Sequence, residues 1–207
     1  MTGGAPRKLW GGTKDWINLY SWSPDGATLL FNRAEGGEAI IHELDLKGPK
    51  DVPFLSDPEY EIWDGNFSHD GRWVCFNAVK EQRSRIFIAP FRNTLVPRSE
   101  WIPVTDGPLD EKQRFSDRDN VIFFSSNRDG HPCIWAQPLT RDKRPQGTPF
   151  PVYHAHQRRQ SLANVTPSSW NIAIGPKLIA LNQAQLSGNV WLMELRNPAR
   201  RPSSGKR

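Results

Sequence analysis

Apolar and polar residues alternate along Ile17-Asn18-Leu19-Tyr20-Ser21-Trp22, the two-residue period of a half-buried strand. Pro24-Asp25-Gly26 then predicts a turn: Pro restricts φ, Asp bonds its own backbone and Gly accepts positive φ. Leu29-Leu30-Phe31 predicts a second strand buried on both faces. Ala39 to Leu44 predicts a third, and Val52-Pro53-Phe54-Leu55 a fourth whose proline suits a sheet edge. The same order returns in Ile62 to Phe67, Trp73 to Phe76, Arg85 to Ala89 and Trp101 to Thr105. It returns again in Gln113 to Phe115, Val121 to Ser125, Cys133 to Gln137 and Phe150 to Tyr153. A weaker fourth unit reads Trp170 to Ile174, Leu178 to Leu181 and Val190 to Leu195. No segment shows helical spacing with caps.

The turn phrase is itself repeated. Trp22-Ser23-Pro24-Asp25-Gly26 comes back 45 residues later as Phe67-Ser68-His69-Asp70-Gly71, and 48 residues after that as Phe115-Ser116-Asp117-Arg118-Asp119. A sandwich or barrel also has short strands and Asp-Gly turns, but does not require one phrase to recur at a near-constant offset. A unit of about 40–45 residues made of short strands is the signature of a propeller blade. The expected fold is all-β: a partial β-propeller of about four blades of four-stranded antiparallel sheet. The units fall at 16–60, 61–110, 111–169 and 170–195, between an N-terminal segment 1–15 and a tail 196–207.

Ser125-Ser126-Asn127-Arg128-Asp129-Gly130, with Cys133-Ile134-Trp135-Ala136 and the aromatic-Ser-x-Asp-Gly turns, resembles the TolB-like (WD40-like) β-propeller family. Gly147 to His156 and Leu186-Ser187-Gly188-Asn189-Val190-Trp191-Leu192-Met193 are similar to the last blades of propellers attached to bacterial serine/threonine protein kinases and related sensor proteins. The resemblance spans roughly residues 7–195. It implies a binding or sensing module whose chemistry resides in another domain. The third turn departs from the pattern by lacking its Pro and Gly, and the fourth is reduced to Gly175-Pro176-Lys177. The kinase signatures, a Gly-rich loop before a strand lysine and a His-Arg-Asp segment, do not occur in the sequence.

Four blades are few for a closed ring. Arg7 to Gly12 stands before the first unit as Ile102 to Gly107 stands before the third, so it reads as the outer strand of a preceding blade. Three closures are open: a compact four-bladed ring, an eight-bladed dimer, or a segment of a longer propeller, the last being preferred. An unpaired sheet edge predicts self-association.

Charge changes little. The formal net charge is +5, but the acid-free tail holds Arg196, Arg200, Arg201, Lys206 and Arg207, and the body without it is balanced. The tail reads as solvated and disordered, and neither nucleic-acid binding nor membrane insertion is expected. No apolar run approaches 18 residues, and the first residues lack the apolar centre of a signal peptide, so the chain as written is expected in the cytoplasm.

Candidate chemistry is sparse. Cys75 and Cys133 sit in predicted strands and read as buried apolar residues rather than as a disulfide or zinc pair. His154 and His156 share one face of an extended segment beside Arg158 and Arg159, as a solvated cluster or an anion site. A metal there needs a third ligand from another blade, so no metal and no cofactor are expected. Asp25, Asp70, Asp119 and Asp129 recur at turns, where self-hydrogen-bonding accounts for them. No Gly-x-Ser-x-Gly elbow is present. Binding is expected on the rim loops, at Arg141, Arg144, His154, His156, Arg158 and Arg159, and secondarily at channel-facing Trp16, Tyr60 and Trp170. The expected function is non-catalytic binding of protein or peptide as a sensory or scaffold part of a signalling protein. The alternative is the propeller of an enzyme, either a peptidase gate or a lyase-type channel site.

Overall fold

A computed structural model describes residues 5, 8, 10–11, 16–35, 38–48, 50–154, 156–157, 160–162, 171–182, 184–185 and 191–193. The first sheet is β1 (Ile17–Trp22), β2 (Thr28–Glu35), β3 (Glu38–Asp45) and β4 (Lys50–Leu55), antiparallel and in chain order. The second is β5 (Glu61–Phe67), β6 (Trp73–Lys80), β7 (Arg83–Pro90) and β8 (Ile102–Pro103), and the third is β9 (Asp110–Phe115), β10 (Val121–Ser126), β11 (Cys133–Pro138) and β12 (Phe150–Tyr153). Beyond them, β13 (His156–Gln157), β14 (Gln160–Ser161) and β17 (Ala184–Gln185) form a small sheet, and β15 (Ile172–Gly175) pairs with β16 (Leu178–Leu181).

The first strands are neighbours in space: β5 packs on β1 and β9, and β9 on β15. Three meanders and the β15–β16 hairpin therefore stand around a common axis, each presenting its first strand inward. This is the partial β-propeller that the repeat predicts. The fourth unit is thinner than expected. Among the described residues it supplies the β15–β16 hairpin as its inner part, and Trp191 to Met193 lie outside any strand.

Each middle strand is buried on both faces, because successive side chains serve opposite blade interfaces. Leu30, Ile41, Phe54 and Leu55 of the first blade close on Ile62, Val74, Phe76, Ala78 and Ala89 of the second. On the other face of the second blade, Cys75, Ile86 and Ile88 meet Phe115, Ile122 and Phe124 of the third. Ile134 then meets Ile172 and Leu162. Phe76 is fully buried and contacts Trp101 edge-on at 4.9 Å, so truncating it to Ala removes about 3–5 kcal/mol.

The leading face of the first blade carries Leu29, Phe31 and Leu44, against which Trp10 packs. The Trp10 indole N–H donates to Asp51 at 2.9 Å, and Asp51 also receives Arg33 at 3.1 Å. Lys8, Trp10 and Gly11 are outside any strand, so the expected outer strand over Arg7 to Gly12 is not formed by its described residues. Trp10 covers the first blade instead, because the apolar face of Phe31 needs a lid.

Candidate functional site

In the first three blades the inner strand is followed at once by a serine, Ser23, Ser68 or Ser116, that organises the turn. Ser23 Oγ donates to Asp25 at 2.6 Å and accepts the Thr28 amide at 2.9 Å; Ser68 does the same with Asp70 at 2.6 Å and the Trp73 amide at 3.0 Å. Asp25 also accepts the Ala27 amide and Asp70 the Arg72 amide, each at 3.0 Å, the local backbone bonds that the sequence predicts. The Ser23 hydroxyl and the Ala27 amide hold the Asp25 carboxyl below its ordinary value. Burial pushes Asp70 up, but the Ser68 hydroxyl and the Arg72 amide and guanidinium outweigh it and bring the carboxyl down to about 2.

The third turn is built differently. Asn120 takes the aspartate's place, accepting from Ser116 Oγ at 3.0 Å. Asp119 takes the glycine's place, with φ 55° against 69° at both Gly26 and Gly71. Its carboxylate is then free to reach the preceding blade, where it accepts the amides of His69 at 2.8 Å and Asp70 at 3.1 Å and lies 3.2 Å from His69 Nδ1. The expectation that Asp119 serves its own turn is thus corrected: it is an inter-blade tie. The Asp119 carbonyl in turn accepts from the buried Lys143 ammonium.

Between successive blades this rim opens into grooves. The first, about 390 Å³, is lined by Ser23, Asp25, Lys47, Asp70, Phe91 and Asn93. The second, about 740 Å³, is lined by His69, Arg72, Asp117, Arg118, Arg141 and Lys143.

A second constellation lies at the axis. The inner strands of the first three blades are bulged at their middles: pairing shifts between Leu19 and Ser21, between Trp63 and Asn66, and between the partners of Glu111 and Arg114. Asp64 and Lys112, both with positive φ near 55°, mark two of these bulges, which re-aim side chains and leave backbone groups to be satisfied otherwise. Gln113 Nε2 donates to the Asp64 carbonyl at 2.6 Å, and Arg114 pairs with the Asp64 carboxylate at 3.1 Å. Arg114 also donates to Asn171 of the fourth unit, and Asn66 Nδ2 donates to the Asp64 carbonyl at 2.7 Å. Burial pushes the Tyr20 hydroxyl well above the usual phenol value. A cavity of about 640 Å³ is lined by Tyr20, Asn66, Arg114, Asn171 and Asn182. One guanidinium therefore joins three blades at the axis.

The residues expected from the sequence do not form one site. Arg141 lies in the groove between the second and third blades, and Arg144 is exposed in the same loop, where Thr140 and Arg144 bond as a tight turn. His154 lies past the end of β12, on the opposite rim, because the four residues of β12 cross the sheet between them. There it pairs with Asp129 at 3.2 Å and lies 3.7 Å from Cys133 Sγ. Both of these neighbours belong to the same sheet as His154, whereas the sequence offered it only His156 and a ligand from another blade. His156 is in β13, and Arg158, Arg159 and Trp170 lie outside the described residues.

Trp16 is half-exposed and meets Trp63 edge-on at 5.8 Å, beside the inner strands. Tyr60, expected to face the channel, packs its ring on Phe87 of β7 at 6.4 Å and under the Arg98 guanidinium at 4.5 Å. Tyr20, Asp64, Gln113 and Arg114 hold the axial position instead. Their signal in the sequence is a polar residue, Asp64 or Lys112, three places before each of Phe67 and Phe115.

No protein-family model and no curated protein matches this chain. Solved structures do. TolB from Acinetobacter baumannii superposes with a TM-score of 0.62 at 18% identity, over 84% of this chain and 39% of that one. A TolB-type protein of Agrobacterium tumefaciens gives 0.57 at 22% identity, over 73% and 53%. Prolyl oligopeptidase B from Galerina marginata gives 0.53 at 13% identity, over 82% and 26%. These likenesses establish the TolB-like propeller fold, and the chain spans about two-fifths to one-half of the TolB chains it resembles.

Proposed function

We propose that the chain is a non-catalytic propeller segment that binds protein or peptide on the rim of its Asp-Gly turns, as the sensory or scaffold part of a signalling protein. The observation that carries this reading is the groove between the second and third blades. Its floor is tied across the blades by the Asp119 carboxylate, with Lys143 holding the Asp119 carbonyl from the same blade, while Arg118 and Arg141 stand exposed on its walls. A rigid floor keeps the entropic cost of binding low, and exposed guanidinium groups engage carboxylates or backbone carbonyls of an extended segment.

Selection of a peptide-display library on the immobilised chain tests this. Enriched peptides are expected to lose binding to Arg118→Glu/Arg141→Glu and to retain it with Arg85→Glu, an exposed arginine near the opposite rim. Enrichment indifferent to the double variant refutes the assignment of the groove.

The convergence of Tyr20, Asp64 and Arg114 on the axis favours a second reading, an enzyme propeller with a channel site. Turnover of peptide or oligosaccharide by the purified chain, lost in Asp64→Asn, would replace the first reading with it.

A further inference from the structure

We propose that Asp129, Cys133 and His154 form a binding site for a zinc-class divalent cation, on the rim opposite the peptide-binding groove. The three donors come from one sheet. Asp129 lies in the β10–β11 turn, which Gly130 shapes with φ 92°; Cys133 opens β11; His154 follows β12. Ile134 pairs with Tyr153, so one more step along the antiparallel register sets Cys133 directly opposite His154. Residues so placed hold their side chains within about 5 Å of each other. The thiol and the imidazole are thus brought together by strand pairing rather than by a flexible loop.

The spacing suits the ion. His154 Nδ1 lies 3.2 Å from Asp129 Oδ2 and 3.7 Å from Cys133 Sγ. With metal–ligand bonds of about 2.0–2.3 Å at tetrahedral angles, nitrogen–oxygen and nitrogen–sulfur edges come to about 3.4 and 3.6 Å. All three donor atoms lie within 4.8 Å of one another, and rotation of the exposed Asp129 carboxylate closes the remaining edge. Binding releases the Cys133 thiol proton to solvent. The resulting thiolate and the Asp129 carboxylate balance a 2+ ion, with neutral imidazole as third ligand.

Cys133 is fully buried, whereas Asp129 and His154 are exposed, so the fourth position faces water. Three protein ligands with an open fourth place are the arrangement that accepts a water or an external donor. Cys75 shows the contrast. It is equally buried, its sulfur lies 4.0 Å from the Gln113 carbonyl, and burial pushes its thiol far up.

Titration of the reduced, metal-free chain with cobalt(II), followed by displacement with zinc(II), tests the site. One equivalent is expected to give a thiolate-to-cobalt charge-transfer band and the intense visible bands of a four-coordinate ion. Cys133→Ser should abolish the charge-transfer band, and Cys75→Ser should leave it intact. His154→Gln and Asp129→Asn, both at exposed positions, should each weaken binding by at least about a hundredfold. Zinc should raise the thermal midpoint of the wild-type chain and of Cys75→Ser, but not of His154→Gln. The absence of a charge-transfer band under excess cobalt overturns the proposal. So does a band that survives Cys133→Ser, or an affinity unchanged in His154→Gln and Asp129→Asn.

Discussion

Replacing Asp119 separates two effects that the third turn combines. The carboxylate is nine-tenths buried and accepts two backbone amides of the preceding blade, at 2.8 and 3.1 Å. Hydrogen bonds to an ionised acceptor contribute about 1.5–3 kcal/mol each. The adjoining groove admits water to the released amides, so the net loss should be near the low end, about 3 kcal/mol for the pair. Positive φ adds a second effect. An Ala at φ 55° bears about 1–2 kcal/mol of strain that Gly avoids. Asp119→Gly should therefore cost about 2 kcal/mol, its lost tie partly offset by relieved strain. Asp119→Ala should cost about 3–4 kcal/mol. Asp119→Asn tolerates the left-handed backbone and keeps one acceptor oxygen, and should cost about 1 kcal/mol. Guanidinium unfolding followed by tryptophan fluorescence gives the order directly. A Gly variant as stable as wild type would show that the tie between blades contributes nothing. Equal Gly and Ala variants would show that the left-handed backbone at this position imposes no strain on a side chain.

Four further outcomes are expected. A methyl group at Gly107 collides with the Asp110 carboxylate, which Arg128 and the Gly107 amide already hold, so Gly107→Ala should cost about 2–3 kcal/mol in the same unfolding assay. Burial, with Asp45 adding repulsion, raises the Glu43 carboxyl to about 7, so the folded state holds a proton that the unfolded state has lost. Stability should then fall as pH rises from about 4.5 to 7, and thermal melts of Glu43→Gln should lack that part of the decline. Arg114→Met leaves Asp64 unpaired and should cost about 3 kcal/mol, and the double variant with Asp64→Asn should cost less than the sum of the single changes in a double-mutant cycle. Trp16, Leu19 and Trp22 are more than half exposed along the inner strand of the first blade, so light scattering should find self-association that Leu19→Lys/Trp22→Lys reduces; a strictly monomeric wild-type chain would refute this.

How far the sequence reveals the fold depends on what each strand does with its polar residues. β1 is legible to the residue, because alternation marks its length and Pro24-Asp25-Gly26 marks its end. β2 and β6 run beyond Phe31 and Phe76, where the pattern predicts their ends, because Asn32 and Asn77 are buried and bonded. Asn32 Nδ2 donates to the Ile40 and Ile62 carbonyls at 3.0 and 2.9 Å, and Asn77 Nδ2 donates to Ser84 at 3.0 Å. A polarity pattern reads such residues as exposed. β8 shrinks from Trp101–Thr105 to Ile102–Pro103 because Thr105 turns its hydroxyl to the Ile86 amide at 3.1 Å.

The sites are hidden for a different reason. Alternation carries no record of register, and register is what sets Cys133 beside His154 across 21 residues. A bulge likewise adds a residue without altering composition, so the axial aim of Asp64 and Arg114 cannot be read from either strand alone. The repeat nevertheless carries part of this information, in its departures rather than its matches. Where the first two units have Gly, the third has Asp119, and where they have Asp, it has Arg118. The first exchange joins two blades, and the second places a cation on the groove wall. In a ring of equivalent sheets, the positions that hold every blade alike must match from unit to unit. A residue that differs at an otherwise constant position is free to serve the interface or the ligand, and those are the positions at which substitutions test function apart from fold.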